Sequence, residues 1–240
     1  MQYNKEFLRT LVENNRILKG GVLYHVSKNA TRLLEECPDL FLEDVRVIGD
    51  GAFLFCKAIK TIVVPKNVAR INYAAFKNCT KLKSILLPSG IVTIRENAFE
   101  NCTSLVSIKI PKTVPKISER TFKGCTSLEL VELKEGVESI CERAFENCTS
   151  LTSITIPKSV KTIASKAFCG CTALDHITLL SSSSSLLSGA LSGCEQITSV
   201  TTPDGEKPIE KNVCANSASK QVSLKTEHNT DNKNDNGFSL

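Results

Sequence analysis

The chain of 240 residues lacks tryptophan, contains one methionine and has only 5% aromatic residues. These shortages exclude a core built on bulky aromatic side chains and predict one of small and branched aliphatic residues. The sequence also lacks an apolar run near the roughly 20 residues that span a bilayer. Its first residues, MQYNKEFLRT, are charged and do not resemble a signal peptide. We therefore predict neither a transmembrane segment nor a secretory leader.

Strong charge and clustered histidines are missing as well. The formal net charge of +5 is too small to indicate nucleic-acid binding by itself. The three histidines, His25, His176 and His228, are isolated from one another, so they cannot form a Ser-His-Asp constellation. A phosphate-binding glycine loop is not found either. The sequence thus predicts a protein that is not an enzyme and binds no cofactor, metal, nucleic acid or small-molecule substrate.

Repetition is the dominant feature that is present. Seven of the 11 cysteines follow one another at intervals of 23 residues, which no disulfide framework or metal motif requires. Phenylalanine, or leucine in the last unit, lies three residues before each of these cysteines. Equivalent positions of successive repeats form what we call a column. A fixed interval shared by several columns is the signature of tandem structural repeats. The columns are Cys56, Cys79, Cys102, Cys125, Cys148, Cys171, Cys194 and Phe53, Phe76, Phe99, Phe122, Phe145, Phe168, Leu191.

Each 23-residue unit is predicted to form one coil of a solenoid. Ile85 and Leu87 are apolar at alternate positions, which predicts a short strand that ends at Pro88. Asparagine or glycine precedes each cysteine from Cys79 onward, which predicts a left-handed turn with positive φ. Because one coil has a single apolar face, neighbouring coils must stack to bury it. Five units end in proline, and Lys134 and Leu180 stand at the equivalent position of the other two units. The prolines are Pro65, Pro88, Pro111, Pro157 and Pro203.

The repeated cysteines have alternative explanations as metal ligands or disulfides, since adjacent coils lie roughly 4.8 Å apart. Equivalent side chains of stacked coils run parallel, however. They do not converge as tetrahedral ligation or a disulfide dihedral of about 90° requires. We therefore interpret them as buried thiols that behave as small apolar residues, which fits a reducing cytosol. Cys169 stands in a column of charged residues and is predicted to be exposed, as a neutral or a reactive thiol.

The recurring pattern Val-x-x-Ile-x-x-x-Ala-Phe-x-Asn/Gly-Cys-x-x-Leu-x-x-Ile-x-Ile-Pro resembles the BspA-type leucine-rich repeat family over about residues 45–203. The resemblance implies a right-handed coil with a parallel sheet on its concave face. It also implies binding of other proteins or host matrix, often as a cell-surface adhesin or antigen, without a shared catalytic residue. The fold class that we predict is a mainly β repeat solenoid with a helical N-terminal cap.

Three segments are predicted along the chain. Residues 1–44 lack the period and show helical spacing at Phe7 and Leu11 before a Gly20–Gly21 break, which predicts an N-terminal helical cap over the exposed ladder. Residues 45–203 are predicted to form the solenoid, with six clear units and one degenerate unit. Residues 204–240 are polar and are predicted to be a flexible C-terminal tail.

The outward side of the predicted sheet is the candidate binding surface, because repeat solenoids bind partners on their extended concave face. Toward the C-terminus this side is lined with hydroxyl groups, whereas nearer the N-terminus it mixes apolar and charged residues. A basic ridge of Lys66, Lys112 and Lys158 is interrupted by Ser89 and Glu135, which argues against nucleic acid. The predicted partner-binding residues are Val63, Leu86, Lys109, Leu130, Glu132 and His176.

Three functions remain open from the sequence. The leading hypothesis is a non-catalytic scaffold that binds a protein partner in the cytoplasm, because a signal peptide is not seen and the thiols are many. The alternative is a cell-surface adhesin or antigen that binds host or matrix protein after unconventional export. Glycosylation of the N-x-Thr sequons at Asn78 or Asn101 would favour that alternative. The third is a regulatory subunit that docks on an enzyme such as a phosphatase.

Overall fold

The computed structural model describes residues 18–24, 45–209 and 221–222, and these residues form a solenoid of short strands without helix. The strands are β1 Leu18–Lys19, β2 Val22–Leu23, β3 Val47–Ile48, β4 Thr61–Val63, β5 Arg70–Ile71, β6 Ser84–Leu86, β7 Thr93–Ile94, β8 Ser107–Ile110, β9 Lys116–Ile117, β10 Leu130–Leu133, β11 Ser139–Ile140, β12 Ser153–Ile156, β13 Thr162–Ile163, β14 His176–Leu179, β15 Ser185–Leu187, β16 Ser199–Thr202, β17 Gly205–Pro208 and β18 Gln221–Val222.

Each coil contributes strands to two lines of parallel strands. The long-strand face consists of β4, β6, β8, β10, β12, β14 and β16, and its ladder is divided between β10 and β12. The short-strand face consists of β2, β3, β5, β7, β9, β11, β13 and β15, and its ladder is divided between β7 and β9. The predicted repeat solenoid with a parallel sheet is therefore confirmed. The second line of strands was missed, because most of its strands are two residues long and show no alternation.

The turn that precedes each cysteine holds an aromatic stack. Neighbouring phenylalanine rings have centroids 4.8–5.4 Å apart and interplanar angles of 3–11°. Backbone bonds between coils align the stack, since the Phe76 amide donates to the Ala98 carbonyl at 2.8 Å. These rings are among the largest fully buried side chains, and they are Phe53, Phe76, Phe99, Phe122, Phe145 and Phe168.

The cysteine column packs against the phenylalanine column of the preceding coil. Cys102 Sγ donates to the Phe76 carbonyl oxygen at 3.2 Å. The same bond recurs from Cys79 to Cys194, with distances of 3.0–3.2 Å. Burial disfavours the thiolate and raises the pKa of Cys125 to about 12. Each cysteine of this column from Cys79 onward thus fills a small apolar space and donates a second hydrogen bond to a carbonyl that already accepts one from a backbone amide.

Two backbone positions in the turns have positive φ. The position before cysteine was predicted and is confirmed, with φ of 61° at Asn78, 57° at Asn101 and 73° at Gly124. Asn101 Nδ2 donates to Asn78 Oδ1 at 3.0 Å, and a Cβ on Gly124 would lie 2.3 Å from Asn101 Oδ1, so a side chain at position 124 would displace the Asn101 amide group. The second position, two residues before phenylalanine, was missed because most of its residues give no turn signal; it includes Ala74, Asn97, Arg120, Arg143 and Lys166.

A proline accounts for the division of the short-strand face between β7 and β9. In a neighbouring coil the Val92 amide donates to the Ala69 carbonyl at 2.8 Å. Pro115 occupies the equivalent position, has no amide hydrogen and cannot continue this ladder. The buried Ser118 hydroxyl bridges the two coils instead, since it donates to the Ile94 carbonyl at 2.7 Å.

An antiparallel hairpin closes the described N-terminal end. β1 and β2 flank Gly20 and Gly21, which have φ of 57° and 76°, and β2 continues as a parallel neighbour of β3. The prediction of a helical cap is therefore wrong for this segment, because glycines at positive φ build a tight turn and β2 extends the sheet. The helical spacing at Phe7 and Leu11 lies outside the described residues.

Strands also occur in the segment that was predicted to be a flexible tail. β17 pairs antiparallel with β16, and β18 pairs antiparallel with β15. These strands cover amide and carbonyl groups that the last coil would otherwise leave open at the sheet edges. The polar composition of this segment gave no sign that its backbone pairs with an edge strand of the solenoid. The other residues after 209 lie outside the described residues.

Candidate partner-binding surface

The strands of the long-strand face direct alternate side chains to opposite sides. In β8, Ile108 and Ile110 are buried, whereas Lys109 between them is exposed. The same alternation makes Val131 and Leu133 of β10 buried. The outward side is therefore free of the packing requirement that determines the inward residues.

Five of the six predicted residues lie on four successive strands of one sheet, β4, β6, β8 and β10. Val63 of β4 is in register with Leu86 of β6. Lys109 of β8 is in register with Glu132 of β10. Leu130 lies two residues before Glu132 on the same strand, and the side chains of both point outward. These five residues consequently share one surface.

Three large aliphatic side chains of this surface are exposed to solvent. Val63 is 58% exposed, Leu86 is 61% exposed and Leu130 is 62% exposed. We call these three residues the apolar patch. Val63 and Leu86 are direct cross-strand neighbours, about 4.8 Å apart at the backbone, so their exposed area is continuous. Exposed apolar residues that cluster on one surface are typical of binding sites.

An ion-pair network borders the apolar patch. Glu132 Oε2 lies 3.2 Å from Lys109 Nζ, and Glu132 Oε1 pairs with Lys134 Nζ. The hydrogen bond from Lys134, followed by that from Lys109, lowers the pKa of Glu132 below its ordinary value. The carboxylate is therefore ionised at neutral pH, and the two lysines hold it in place. The surface has a fixed charge pattern beside its apolar part.

The sixth predicted residue, His176, lies apart from the other five. It begins β14 and is in register with Ser153 of β12. β12 separates it from Glu132 on β10, and the outward residues there, Ser153 and Thr155, carry hydroxyl groups. The structure thus divides the predicted residues into a cluster of five and one distant histidine.

A groove next to Lys109 escaped the sequence analysis. β6 and β8 are in register only at Ser84 and Ser107, whereas β8 and β10 are paired at four positions. Leu87 is half-buried in the groove, although its counterpart Ile110 in the next coil is fully buried. The groove has a volume of about 450 Å³. Residues of three successive coils line it, and we call it the lysine groove: Leu87, Ser89, Lys109, Pro111, Lys112, Lys134 and Glu135.

The charges of the lysine groove are unbalanced. Glu135 Oε1 accepts from the Lys158 amide at 3.0 Å and its Oε2 accepts from the Ser159 amide at 3.1 Å. These bonds lower the pKa of Glu135 and engage its carboxylate with the next coil. Among the described residues, no ion pair is formed by the Lys112 ammonium. Two features of the sequence indicate this groove. Lys134 replaces the proline that ends other units, and Lys112 belongs to the interrupted basic ridge.

Among the described residues, Cys169 was the candidate for a reactive thiol. Cys169 is half-buried, not exposed as predicted, and burial followed by the charge of Glu146 raises its pKa. A raised pKa disfavours the reactive thiolate. Within the described residues, no three histidine, cysteine or acidic side chains are grouped as metal ligands would be. Over the same ranges, no helix has the length and apolar character to cross a membrane.

The fold and this surface define a β-solenoid scaffold of the leucine-rich repeat class. A profile of the BspA type leucine rich repeat region matches residues 46–157 and 115–238 in six copies, so the chain belongs to this family. The matched profile describes a structural repeat and indicates no catalytic family. A search of curated protein sequences finds no significant match.

Solved structures of bacterial leucine-rich repeat proteins are similar to this chain. A leucine rich cell surface protein of Faecalibacterium prausnitzii is 28% identical, with a TM-score of 0.56 over 67% of this chain and 53% of its own. A leucine-rich repeat protein of T. pallidum is 28% identical over 65% of this chain and 62% of its own, with a TM-score of 0.45. One from Eubacterium ventriosum is 32% identical over 52% and 34%, with a TM-score of 0.47. The chain spans about half the length of the first of these proteins.

Proposed function

We propose that this chain is a non-catalytic scaffold that binds a protein partner through the outward side of the long-strand face. The observation that supports this function is the apolar patch, whose three side chains are about 60% exposed. Val63 and Leu86 lie on adjoining coils, and Leu130 lies two coils further along the same face. Covering a large aliphatic side chain contributes about 1.5–3 kcal/mol when its burial is complete. The strands hold these side chains on a stacked backbone, so a partner would lose little free energy in ordering them.

The ion pairs beside the patch would orient the partner. Lys109 and Glu132 present opposite charges in adjoining coils, 3.2 Å apart. Such pairs contribute more to specificity and to the rate of association than to affinity. His176 would join the interface only with a partner large enough to cover β12 as well. We therefore assign the main contact to Val63, Leu86, Leu130, Lys109 and Glu132.

A second candidate is a cell-surface adhesin that binds host or matrix protein with the same surface. It is favoured by the similarity to the leucine rich cell surface protein of Faecalibacterium prausnitzii, which is 28% identical to this chain. The first candidate instead has the scaffold working in the cytoplasm. Labelling intact cells with a membrane-impermeant amine reagent separates the two, because only a surface protein is labelled before lysis.

The binding surface is tested with a variant that exchanges the patch for residues that other coils use. Leu130→Ser introduces the residue present at Ser107 and Ser153, and Leu86→Thr introduces that present at Thr155. We call the double substitution the patch variant. Its matched control is Thr155→Ala with Thr178→Ala, which changes two residues on the same face outside the patch.

Purified full-length protein, patch variant and control are immobilised, and the proteins that each retains from the source cells or from host matrix are quantified by mass spectrometry. We expect a defined set of proteins to be retained by the wild type and the control and to be reduced at least about tenfold with the patch variant, as loss of an interface anchor predicts. Equal retention by the wild type and the patch variant would contradict the proposed function.

A further inference from the structure

The lysine groove adjoins the border of the apolar patch, because Lys109 lines the groove and also forms the ion pair with Glu132 that borders the patch. Lys109 is in register with Glu132 on the patch side and lines the groove on the other. A partner bound to the patch would therefore extend over the groove. An inference about the groove's ligand rests on the proposed function for that reason.

The groove combines an apolar floor with a basic rim. Leu87, which is half-buried, contributes apolar surface beside the buried Pro111, and Lys109, Lys112 and Lys134 contribute three ammonium groups. The nearby carboxylates are already engaged, Glu132 with two of the lysines and Glu135 with two backbone amides. Lys112 therefore offers the charge that a ligand can neutralise.

The dimensions fit a short extended peptide. The lining residues come from three successive coils, which lie roughly 4.8 Å apart, so the groove is about 10 Å long. An extended chain advances about 3.3 Å per residue, and three residues span that length. No aromatic side chain is among the lining residues, so the groove lacks a platform on which nucleic-acid bases could stack.

We propose that the lysine groove binds an acidic segment of the protein partner, with an apolar side chain on Leu87 and a carboxylate at Lys112. Charge complementarity selects this occupant, because Lys112 is unpaired among the described residues and the three lysines outnumber the two neighbouring carboxylates, Glu132 and Glu135. Bonds between ammonium and carboxylate groups are stronger than those between neutral groups. The apolar floor adds selectivity against peptides that are acidic only.

The probes are fluorescein-labelled peptides added to the full-length protein, with binding followed by fluorescence anisotropy. One peptide alternates glutamate and leucine, a second replaces each glutamate with glutamine, and a third replaces each leucine with glycine. We expect the first to bind with a Kd below about 1 mM and at least about fivefold more tightly than either of the others. Raising the salt from about 0.01 M to about 0.1 M should weaken its binding, because the screening length falls from about 30 Å to about 10 Å.

The matched pair of variants is Lys112→Glu in the groove and Lys66→Glu in the same column outside it. Both positions are exposed, so neither substitution disturbs the core. Lys112→Glu should weaken binding of the acidic peptide at least about fivefold, and Lys66→Glu less than about twofold. Equal effects of the two variants, equal binding of the glutamate and glutamine peptides, or no binding of the acidic peptide near 1 mM each overturn the inference about the groove.

This result can be distinguished from the test of the proposed function. If the patch variant loses its retained proteins while the acidic peptide fails to bind, the groove inference is wrong and the proposed function stands. If peptide binding depends on Lys112 while the patch variant retains the same proteins as the wild type, the assignment of the patch is wrong and the groove remains a peptide site.

Discussion

The inward and outward sides of the long-strand face differ although they lie one residue apart on the same strands. Ile62, Ile85 and Ile108 occupy one inward column and are 3–8% exposed. Beside them, the outward ladder changes from Val63 and Leu86 to Lys109 and Glu132, and then to threonines. Stacking of coils requires each inward residue to fit its equivalent in the next coil, and it makes no such demand outside. The inward side therefore determines the fold, and the irregular outward side can carry specificity.

The largest effect on the inward side should come from alkaline pH. Burial raises the pKa of Cys125 to about 12 and also raises that of Cys148, whereas unfolded cysteine ionises near 8.5. Above about pH 8.5 the unfolded chain thus binds fewer protons than the folded chain, and the free energy of unfolding falls as pH rises. At about pH 9.5 the Cys125 thiol alone costs about 1.4 kcal/mol, and the other buried thiols with a raised pKa, Cys79, Cys148, Cys171 and Cys194, add to this loss.

Urea unfolding under reducing conditions at about pH 7.5 and pH 9.5 measures this loss. Cys125→Ala should show a shallower dependence on pH, because one titrating group is removed. Stability that is unchanged between the two pH values would contradict the burial of the thiols.

Removal of one ring from the aromatic stack should have the next largest effect. Phe99 stacks between Phe76 and Phe122, with centroids 5.3 Å and 5.4 Å away, and is fully buried. Phe99→Ala should lower the free energy of unfolding by about 3–5 kcal/mol, because it leaves a cavity in the core. The outward control Lys109→Ala should change it by less than about 0.5 kcal/mol. Equal losses in thermal melts followed by circular dichroism would show that the inward and outward sides are wrongly assigned.

A smaller effect is expected where the short-strand face is interrupted. Ser118→Ala removes the hydroxyl that bonds the Ile94 carbonyl across the gap at Pro115. The unpaired carbonyl should lower the free energy of unfolding by about 1–3 kcal/mol. Ser84→Ala on the exposed side of β6 is the control and should have little effect. Equal urea midpoints for Ser118→Ala and wild type would exclude this role of the hydroxyl.

The sequence predicted the part of the fold that repeats in residue type. The 23-residue columns identified the inward residues, the coils and the positive φ at Asn78 and Asn101, because each coil imposes the same steric demand. It did not predict the second positive-φ position at Arg120 and Arg143, whose residue types carry no turn signal. The hairpin at Gly20 and the strand β17 were also missed, since pairing at a sheet edge depends on tertiary structure.

The sequence likewise predicted only one part of the candidate site, the exposure of the apolar patch. Alternation along strands placed Val63, Leu86 and Leu130 on the outward side, and the structure finds them exposed there. The distance of His176 from them could not be judged from spacing alone until the order of the strands was known. The lysine groove lies beside strands β6 and β8, whose pairing is incomplete, and the residue types of these strands do not indicate that incompleteness.

The free energy of unfolding of the patch variant tests most directly whether the outward residues serve binding and not the fold. Leu86→Thr with Leu130→Ser removes two side chains that are 61% and 62% exposed. By urea titration we expect the patch variant to lie within about 0.5 kcal/mol of wild type, as substitutions of exposed residues usually do. A loss of more than about 2 kcal/mol would mean that these leucines stabilise the solenoid itself, and would contradict their assignment to partner binding.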